Sequence, residues 1–276
     1  MQYRTPLSDD QLKAQAPSIF AELASRSVSS KYSFLPTCEV VAEMRNNGWN
    51  PVKAMEQRVR TEDNRGFQKH LIRFVHSDQL ARPGENIPEI VLTNSHDAKS
   101  AYQIHAGIFR LVCGNGMVIA DSTFNKVSVR HSHTAINDVI HASMDVLAEV
   151  PRVTEEIEQF KARRLSDAEA QAYAEAALIL RYDTLPEAPI TPVKLLTPHR
   201  REDAQPTLWN TFNRIQENIT KGGQKDYSRR KPDGQPFTRT RAINSISEDT
   251  RINKALWHIA TVLNRFNDVP AIQPTA

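Results

Sequence analysis

The chain has 276 residues, 39% of them hydrophobic and 24% charged, with a formal net charge of +3, the composition of a soluble globular protein with length for one large core or two small ones. No apolar run approaches the roughly 20 residues of a membrane-spanning helix, and the opening Met-Gln-Tyr-Arg-Thr-Pro-Leu-Ser lacks the apolar centre of a secretory signal, so a cytoplasmic protein with no membrane partner is expected. The two cysteines, Cys38 and Cys113, lie in apolar settings, which favours reduced, buried thiols over a disulfide.

Ser8-Asp-Asp-Gln11 has capping-box spacing and predicts a helix to about residue 25, with Leu12, Ala16, Ile19, Phe20 and Leu23 on one face; Pro17 breaks it or moves its start. Residues 27–36 read as a loop. A second helix from Thr37 turns Val40, Val41 and Met44 inward and stops at Asn46-Asn47-Gly48, where glycine suits a left-handed end. Residues 52–59, 69–76 and 87–93 are short, apolar and β-branched, with turns at 63–66 and 81–84, and predict antiparallel strands. Two apolar runs, 108–113 and 117–120, flank Gly114-Asn115-Gly116, the pattern of a hairpin; residues 126–131 extend the sheet.

From Thr134 the period changes to that of a helix, with Ile136, Val139, Ile140, Met144, Leu147 and Val150 on one face and a kink or break at Pro151, after which Val153, Ile157 and Phe160 continue the stripe. Ser166-Asp-Ala-Glu169 is a second capping box, opening a helix to about residue 181. Five prolines (186, 189, 192, 198, 206) mark residues 184–206 as an extended connector. Two more helices follow, 207–220 with Leu208, Phe212, Ile215 and Ile219 inward, and 248–266 with Ile252, Leu256, Ile259 and Leu263 inward. The last ten residues read as a mobile tail. The expected fold is α+β: a β meander with a long crossing helix over 1–183, the connector 184–206, and a helical region 207–266 that carries a basic loop, 221–247.

The run from Gly107 to Gly116, Gly-Ile-Phe-Arg-Leu-Val-Cys-Gly-Asn-Gly, resembles the signature of a prophage- and plasmid-borne family known as domain of unknown function nine hundred and thirty-two. Thr207-Leu-Trp-Asn-Thr-Phe-Asn-Arg-Ile-Gln-Glu-Asn218 followed by Gly222-Gly223, Arg239-Thr-Arg-Ala242 and Asn253-Lys-Ala-Leu-Trp257 resemble its C-terminal signature. The resemblance covers nearly the whole chain and implies a mobile-element context with no established reaction. The order helix, Asn47-Gly48-Trp49, strand, turn, strand, then a long helix is also similar to the Rad-fifty-two superfamily of single-strand annealing proteins, which implies a β meander crossed by a helix.

Between Lys194 and Arg241 stand eleven Lys or Arg against five Asp or Glu, a local surplus of six positive charges. Within it Lys221, Lys225, Arg229, Arg230, Lys231, Arg239 and Arg241 alternate with Tyr227 and Phe237. Cations that meet phosphates and rings that stack on bases suit single-stranded nucleic acid; a solvated connector, or a dock for an acidic protein, uses the same residues. Lys126 and Arg130, with His131 and His133, form a second basic patch at the sheet edge. His131 and His133, joined by His96, His105 and Asp97, are the alternative metal reading. Arg110, on the face of Ile108 and Val112, needs a carboxylate partner or binds an anion. Trp209 and Trp257 read as packing anchors, and Asn210, Asn213, Gln216 and Glu217 as a polar flank. Cys113 sits in an apolar strand where a thiol is inert, and no nucleophile elbow or phosphate-binding glycine loop is present.

These features predict a protein of DNA metabolism or recombination, without catalytic activity, cofactor or metal. It binds single-stranded DNA, with possible homo-oligomers, through Lys126, Arg130, Lys225, Tyr227, Arg229, Arg230, Lys231, Phe237, Arg239 and Arg241, and anneals or protects it. The alternative is a protein–protein module that inhibits or recruits a host factor; a metal-dependent hydrolase or nuclease is a third reading.

Overall fold

Ser8 caps helix α1 (Asp9–Gln15) in the structure, a computed structural model that describes residues 5–25, 28, 34–59, 65–81, 86–97, 102–110, 115–118, 127–129, 135–231 and 233–266. Its hydroxyl accepts the Gln11 N–H while the Gln11 side chain accepts the Ser8 N–H at 2.9 Å. Pro17, with no N–H to offer, ends this helix: Ala16 leaves helical geometry at φ −150°, and Pro17–Phe20 form a 3-10 turn. The helix expected to reach residue 25 is thus two pieces, and Leu23, expected inward, is 75% exposed. Helix α2 (Thr37–Asn46) buries Thr37, Val40, Val41 and Met44. Gly48 follows at φ +81°, and a Cβ there would lie 2.7 Å from His76 Nε2.

Among the described residues six strands form one antiparallel sheet: β1 (Trp49–Glu56), β2 (His70–His76), β3 (Asn86–Asn94), β4 (Tyr102–Arg110), β5 (Asn115–Val118) and β6 (Val127–Val129), in the order β1-β2-β3-β4-β5 with β6 also on β4. β5 meets Gly107 to Arg110 and β6 meets Tyr102 to Ile104, so both lie on the edge of β4 away from β3. A short helix, α3 (Ser77–Ala81), follows β2 and ends where the expected turn at 81–84 begins; residues 82–85 lie outside the described residues. The β4–β5 hairpin is displaced from its expected register. Asn115 and Gly116, expected in the turn, are strand residues opposite Arg110 and Phe109, and β4 begins at Tyr102. The reason is nonlocal: the extent of β4 is set by its ladder with β3, from Asn86↔Arg110 to Thr93↔Gln103. Cys113 and Gly114 lie outside the described residues.

The first strand is closed as an edge. Pro51 lies beside a register shift, where its missing N–H is tolerated; its carbonyl accepts the Leu7 N–H at 2.7 Å, and Gln15 Oε1 accepts the Ala54 N–H at 3.1 Å. The central strands are buried on both faces. One face carries His70, Ile72 and Phe74 beside Asn94, Leu92 and Ile90; the other carries Leu71, Arg73 and Val75 beside Thr93, Val91 and Glu89. Arg73 and Glu89 form an ion pair at 2.8 Å, both buried, as a charge inside a core requires.

Helix α4 (Ala135–Ala162) runs on through Pro151, where a kink or break was expected. The proline removes one backbone bond. Buried Val146 before it, and Val153, Ile157 and Phe160 after it, give the helix packing on both sides of the gap. Met144, expected inward, is 40% exposed; Ala142 and Ser143 take the inward positions. The chain divides into two units, Met1–Val150 and Pro151–Ala276.

The second unit is helical, with α5 (Asp167–Tyr182) opened by the Ser166–Glu169 capping box, α6 (Pro192–Leu195), a 3-10 turn at Arg201–Asp203, α7 (Leu208–Lys221) and α8 (Ile246–Arg265). Trp257 lies 5.3 Å from the Phe160 ring and 5.6 Å from Phe212, and Trp209 stacks on Phe212 at 5.8 Å. Trp209 and Trp257 are the packing anchors their positions beside leucine predict. The proline-rich stretch is folded onto this core and buries Ala188, Ile190 and Leu195. The fold class is α+β, as expected, with an antiparallel sheet, eight α-helices among the described residues and a helical C-terminal region. Residues 267–276, expected as a mobile tail, lie outside the described residues.

Candidate functional site

Between α7 and α8 the chain makes a hairpin-like excursion. Gly222 ends α7 at φ +66°; Gly223 N–H then donates to Thr240 O at 2.8 Å, and Thr240 N–H to Gln224 O at 2.9 Å, closing the base. At the tip, the Lys231 N–H reaches Gln235 O at 2.8 Å, and Arg230 bridges to Pro236.

Asp226 fixes this loop to the proline-rich stretch. One carboxylate oxygen accepts the Thr191 N–H and hydroxyl at 3.0 and 2.8 Å, and the other accepts the Ser228 N–H and hydroxyl at 3.0 and 2.6 Å. Burial alone would raise this carboxyl; the four bonds outweigh it and hold it at about 2. Arg229 grips the same stretch, donating to Ala188 O at 3.1 Å, Leu185 O at 2.7 Å and Pro186 O at 3.0 Å, with its guanidinium 5.9 Å from the Phe237 ring.

The remaining predicted residues fall around these anchors. Arg239 donates to Gly223 O at 2.9 Å, and Arg230 to the carbonyls of Tyr227 and Arg229 at 2.9 and 3.0 Å. Lys231 and Arg241 are exposed. Lys225 Nζ stands 4.7 Å from the centre of the Tyr227 ring, which is 72% exposed. Arg229, Arg230 and Arg239 donate to carbonyls, which satisfy donors without cancelling charge. The loop from 224 to 241 therefore keeps six cations against two carboxylates. Lys126 and Arg130 lie outside the described residues, as do His131, His133 and the side chain of Arg110.

The polar flank of α7 is turned inward. Asn210, Asn213, Gln216, Glu217 and Asn218 are buried. Asn213 donates to Trp209 O at 2.7 Å, and Gln216 to Asn253 Oδ1 at 3.0 Å. Asn218 donates to Leu195 O at 2.7 Å and Thr197 O at 3.0 Å. Glu217 accepts from Arg200 at 2.5 and 2.6 Å and from Lys221 at 2.7 Å. Its burial pushes the carboxyl up, and the Arg200 and Lys221 bonds more than reverse that, leaving it below the ordinary range. Asn218 and Glu217 thus bind the segment 195–203 to α7, and Gln216 binds α8, so they brace the ground from which the basic loop departs.

A second constellation, in the first unit, was legible only as separate residues. Thr37 Oγ1 lies 3.0 Å from His70 Nε2, 3.1 Å from His96 Nε2 and 3.1 Å from Asn94 Nδ2, all buried. His70 Nδ1 faces Ser18 Oγ at 3.1 Å and Gln68 O at 3.3 Å. His105 alternates onto the opposite sheet face from His70, so it does not join this group. Among the described residues no group of three or more His, Cys, Asp or Glu could hold a metal ion, and no helix is long and apolar enough to cross a membrane. Cys38 is a free thiol whose titration burial pushes up.

An antiparallel sheet preceded in the chain by short N-terminal helices and followed by the long α4, then a helical unit whose signature helix α7 is buried nearly all round, marks a mixed α+β protein with a basic excursion between α7 and α8. Residues 24–257 match the family model described as domain of unknown function DUF932, and the chain belongs to that family. It is similar to the UPF0380 proteins YfjQ and YafZ of Escherichia coli strain K12, each 36% identical over 258 residues, covering 94% of this chain and 92% of the relative. No solved structure matches the chain, and the resemblance to the annealing superfamily gains no support from one.

Proposed function

We propose that this protein binds single-stranded DNA in the service of a mobile element, annealing or protecting it without catalysing a reaction. The observation that carries this reading is the exposed Tyr227 ring under Lys225, set on an anchored loop with six cations against two carboxylates. A base stacked on an aromatic ring gains about 1–3 kcal/mol irrespective of its identity, and the neighbouring cations meet the phosphates on either side. In this reading Lys225, Tyr227, Arg230, Lys231 and Arg241 are the contacts, and Arg229 and Arg239 hold them in place together with Asp226, which the sequence did not single out.

Binding of a fluorescent oligothymidine across a salt series, with particle mass followed, tests this. Affinity is expected to fall steeply with salt. Tyr227→Ala should weaken binding about tenfold without altering the salt slope. Changing Lys225, Arg230 and Lys231 together to alanine should flatten that slope by about 2, at roughly 0.7 per phosphate lost. Absence of binding at low salt, or equal affinity in the triple variant, overturns the reading. A single host protein that co-purifies in fixed ratio after nuclease treatment would favour instead a dock for an acidic partner.

A further inference from the structure

The hydroxyl of Thr37 is surrounded by more donors than it can serve. It has one hydrogen and two lone pairs. Asn94 Nδ2 can only donate and takes one lone pair, at 3.1 Å. Tyr102 OH, 3.3 Å away, gives its own hydrogen to Leu35 O at 2.9 Å. One lone pair is left for two imidazoles, His70 Nε2 at 3.0 Å and His96 Nε2 at 3.1 Å. Only one of those nitrogens can carry a hydrogen; the other must be bare and accept the Thr37 O–H. Gln68 O, an acceptor, faces His70 Nδ1, which places the hydrogen of a neutral His70 on Nδ1 and leaves its Nε2 as the bare one.

Two imidazolium ions would each carry both hydrogens, so the pair cannot be doubly charged while this arrangement stands. The ring centroids are 5.4 Å apart, which adds like-charge repulsion in a buried place. The titratable groups on the neighbouring elements include Glu56 of β1, which accepts the Ser18 N–H at 3.1 Å and a Gln68 N–H at 2.8 Å, Tyr102 of β4, Asp97 beyond β3, bonded to Ser95 at 2.6 Å, and Cys38 and Glu39 beside Thr37 on α2; Arg73, Glu89 and His105 lie on the opposite face of the sheet.

We propose that Thr37, His70 and His96 form an acid-sensitive latch that holds α2 and the Pro17–Phe20 turn on the sheet. Thr37 is the first residue of α2 and Ser18 belongs to that turn, whereas His70 belongs to β2 and Asn94 to β3. The latch takes up at most one proton; the unfolded chain takes up two as pH falls through the ordinary imidazole value of about 6.5. The unfolded state then binds more protons than the folded one, so stability is full above about pH 6.5 and is lost below it, by up to tenfold in the folding equilibrium per pH unit.

The test is nitrogen NMR of the imidazoles in the full chain, with unfolding of the first unit followed by hydrogen exchange between pH 7.5 and 5. In the unaltered protein His70 is expected as the Nδ1–H tautomer at pH 7.5. His70→Gln, whose carbonyl can accept the Thr37 O–H and does not titrate, should remove the tenfold-per-unit loss below pH 6.5. An Nε2–H tautomer at His70, or the same loss in His70→Gln, overturns the proposal. If His70→Gln fails to fold, the tautomer in the unaltered chain still decides.

Discussion

Asp226 shows how one side chain sets a loop's geometry. Its carboxyl is held at about 2, so its bonds to Thr191 and Ser228 contribute stability that is present above about pH 4 and lost as pH falls toward 2. Solvent screening at this partly exposed position brings its worth to about 1 kcal/mol. Asp226→Asn is expected to lower the unfolding free energy by that amount at pH 7 and to flatten the loss between pH 4 and 2, read by urea unfolding at each pH. The neighbouring glycines separate backbone angle from space. Gly222 and Gly223 both have positive φ, but a Cβ on Gly222 would lie 2.5 Å from Ala242 N, while one on Gly223 meets nothing within 4 Å. Gly223→Ala should therefore cost about 1 kcal/mol and Gly222→Ala more than about 2 kcal/mol, because its clash is with backbone that cannot turn aside; thermal unfolding of the two variants compares them.

The elements differ in how far their neighbours were readable. The capping boxes at Ser8 and Ser166 were legible because every participating group lies within four residues. The β4–β5 register was not, since the ladder to β3 that fixes it joins residues far apart in sequence. The partners of the α7 flank were unreadable for a different reason: an apolar stripe at 3.6 spacing says which face is oily and leaves open what the polar side chains meet, and those side chains are buried against 195–203 and α8. Asn218→Ala would leave the Leu195 and Thr197 carbonyls without these donors and should cost about 2 kcal/mol, measurable as a lower urea midpoint. The basic loop was visible as charge and rings, but the partners of Arg229 were not, because carbonyls carry no sequence signature.

The molecule consists of two units with different means of cohesion, a sheet with long-range ladders in Met1–Val150 and packed helices around Trp209, Phe212 and Trp257 in Pro151–Ala276. Separate cores favour separate cooperative transitions. Hydrogen-exchange mass spectrometry in rising urea is expected to release peptides of the two units at different concentrations; release at one concentration would show a single cooperative body. The sequence by itself determined the longer helices and the central strands, the caps, the two tryptophan anchors, the family and the place of the basic loop, because periodicity and local hydrogen bonding act within a few residues. Tertiary structure alone decided the strand register, the burial of the α7 amides, the carbonyl grip of Arg229 and the meeting of Thr37, His70 and His96. A polar group's partner is chosen by which distant segments pack together, and nothing in its local pattern records that choice.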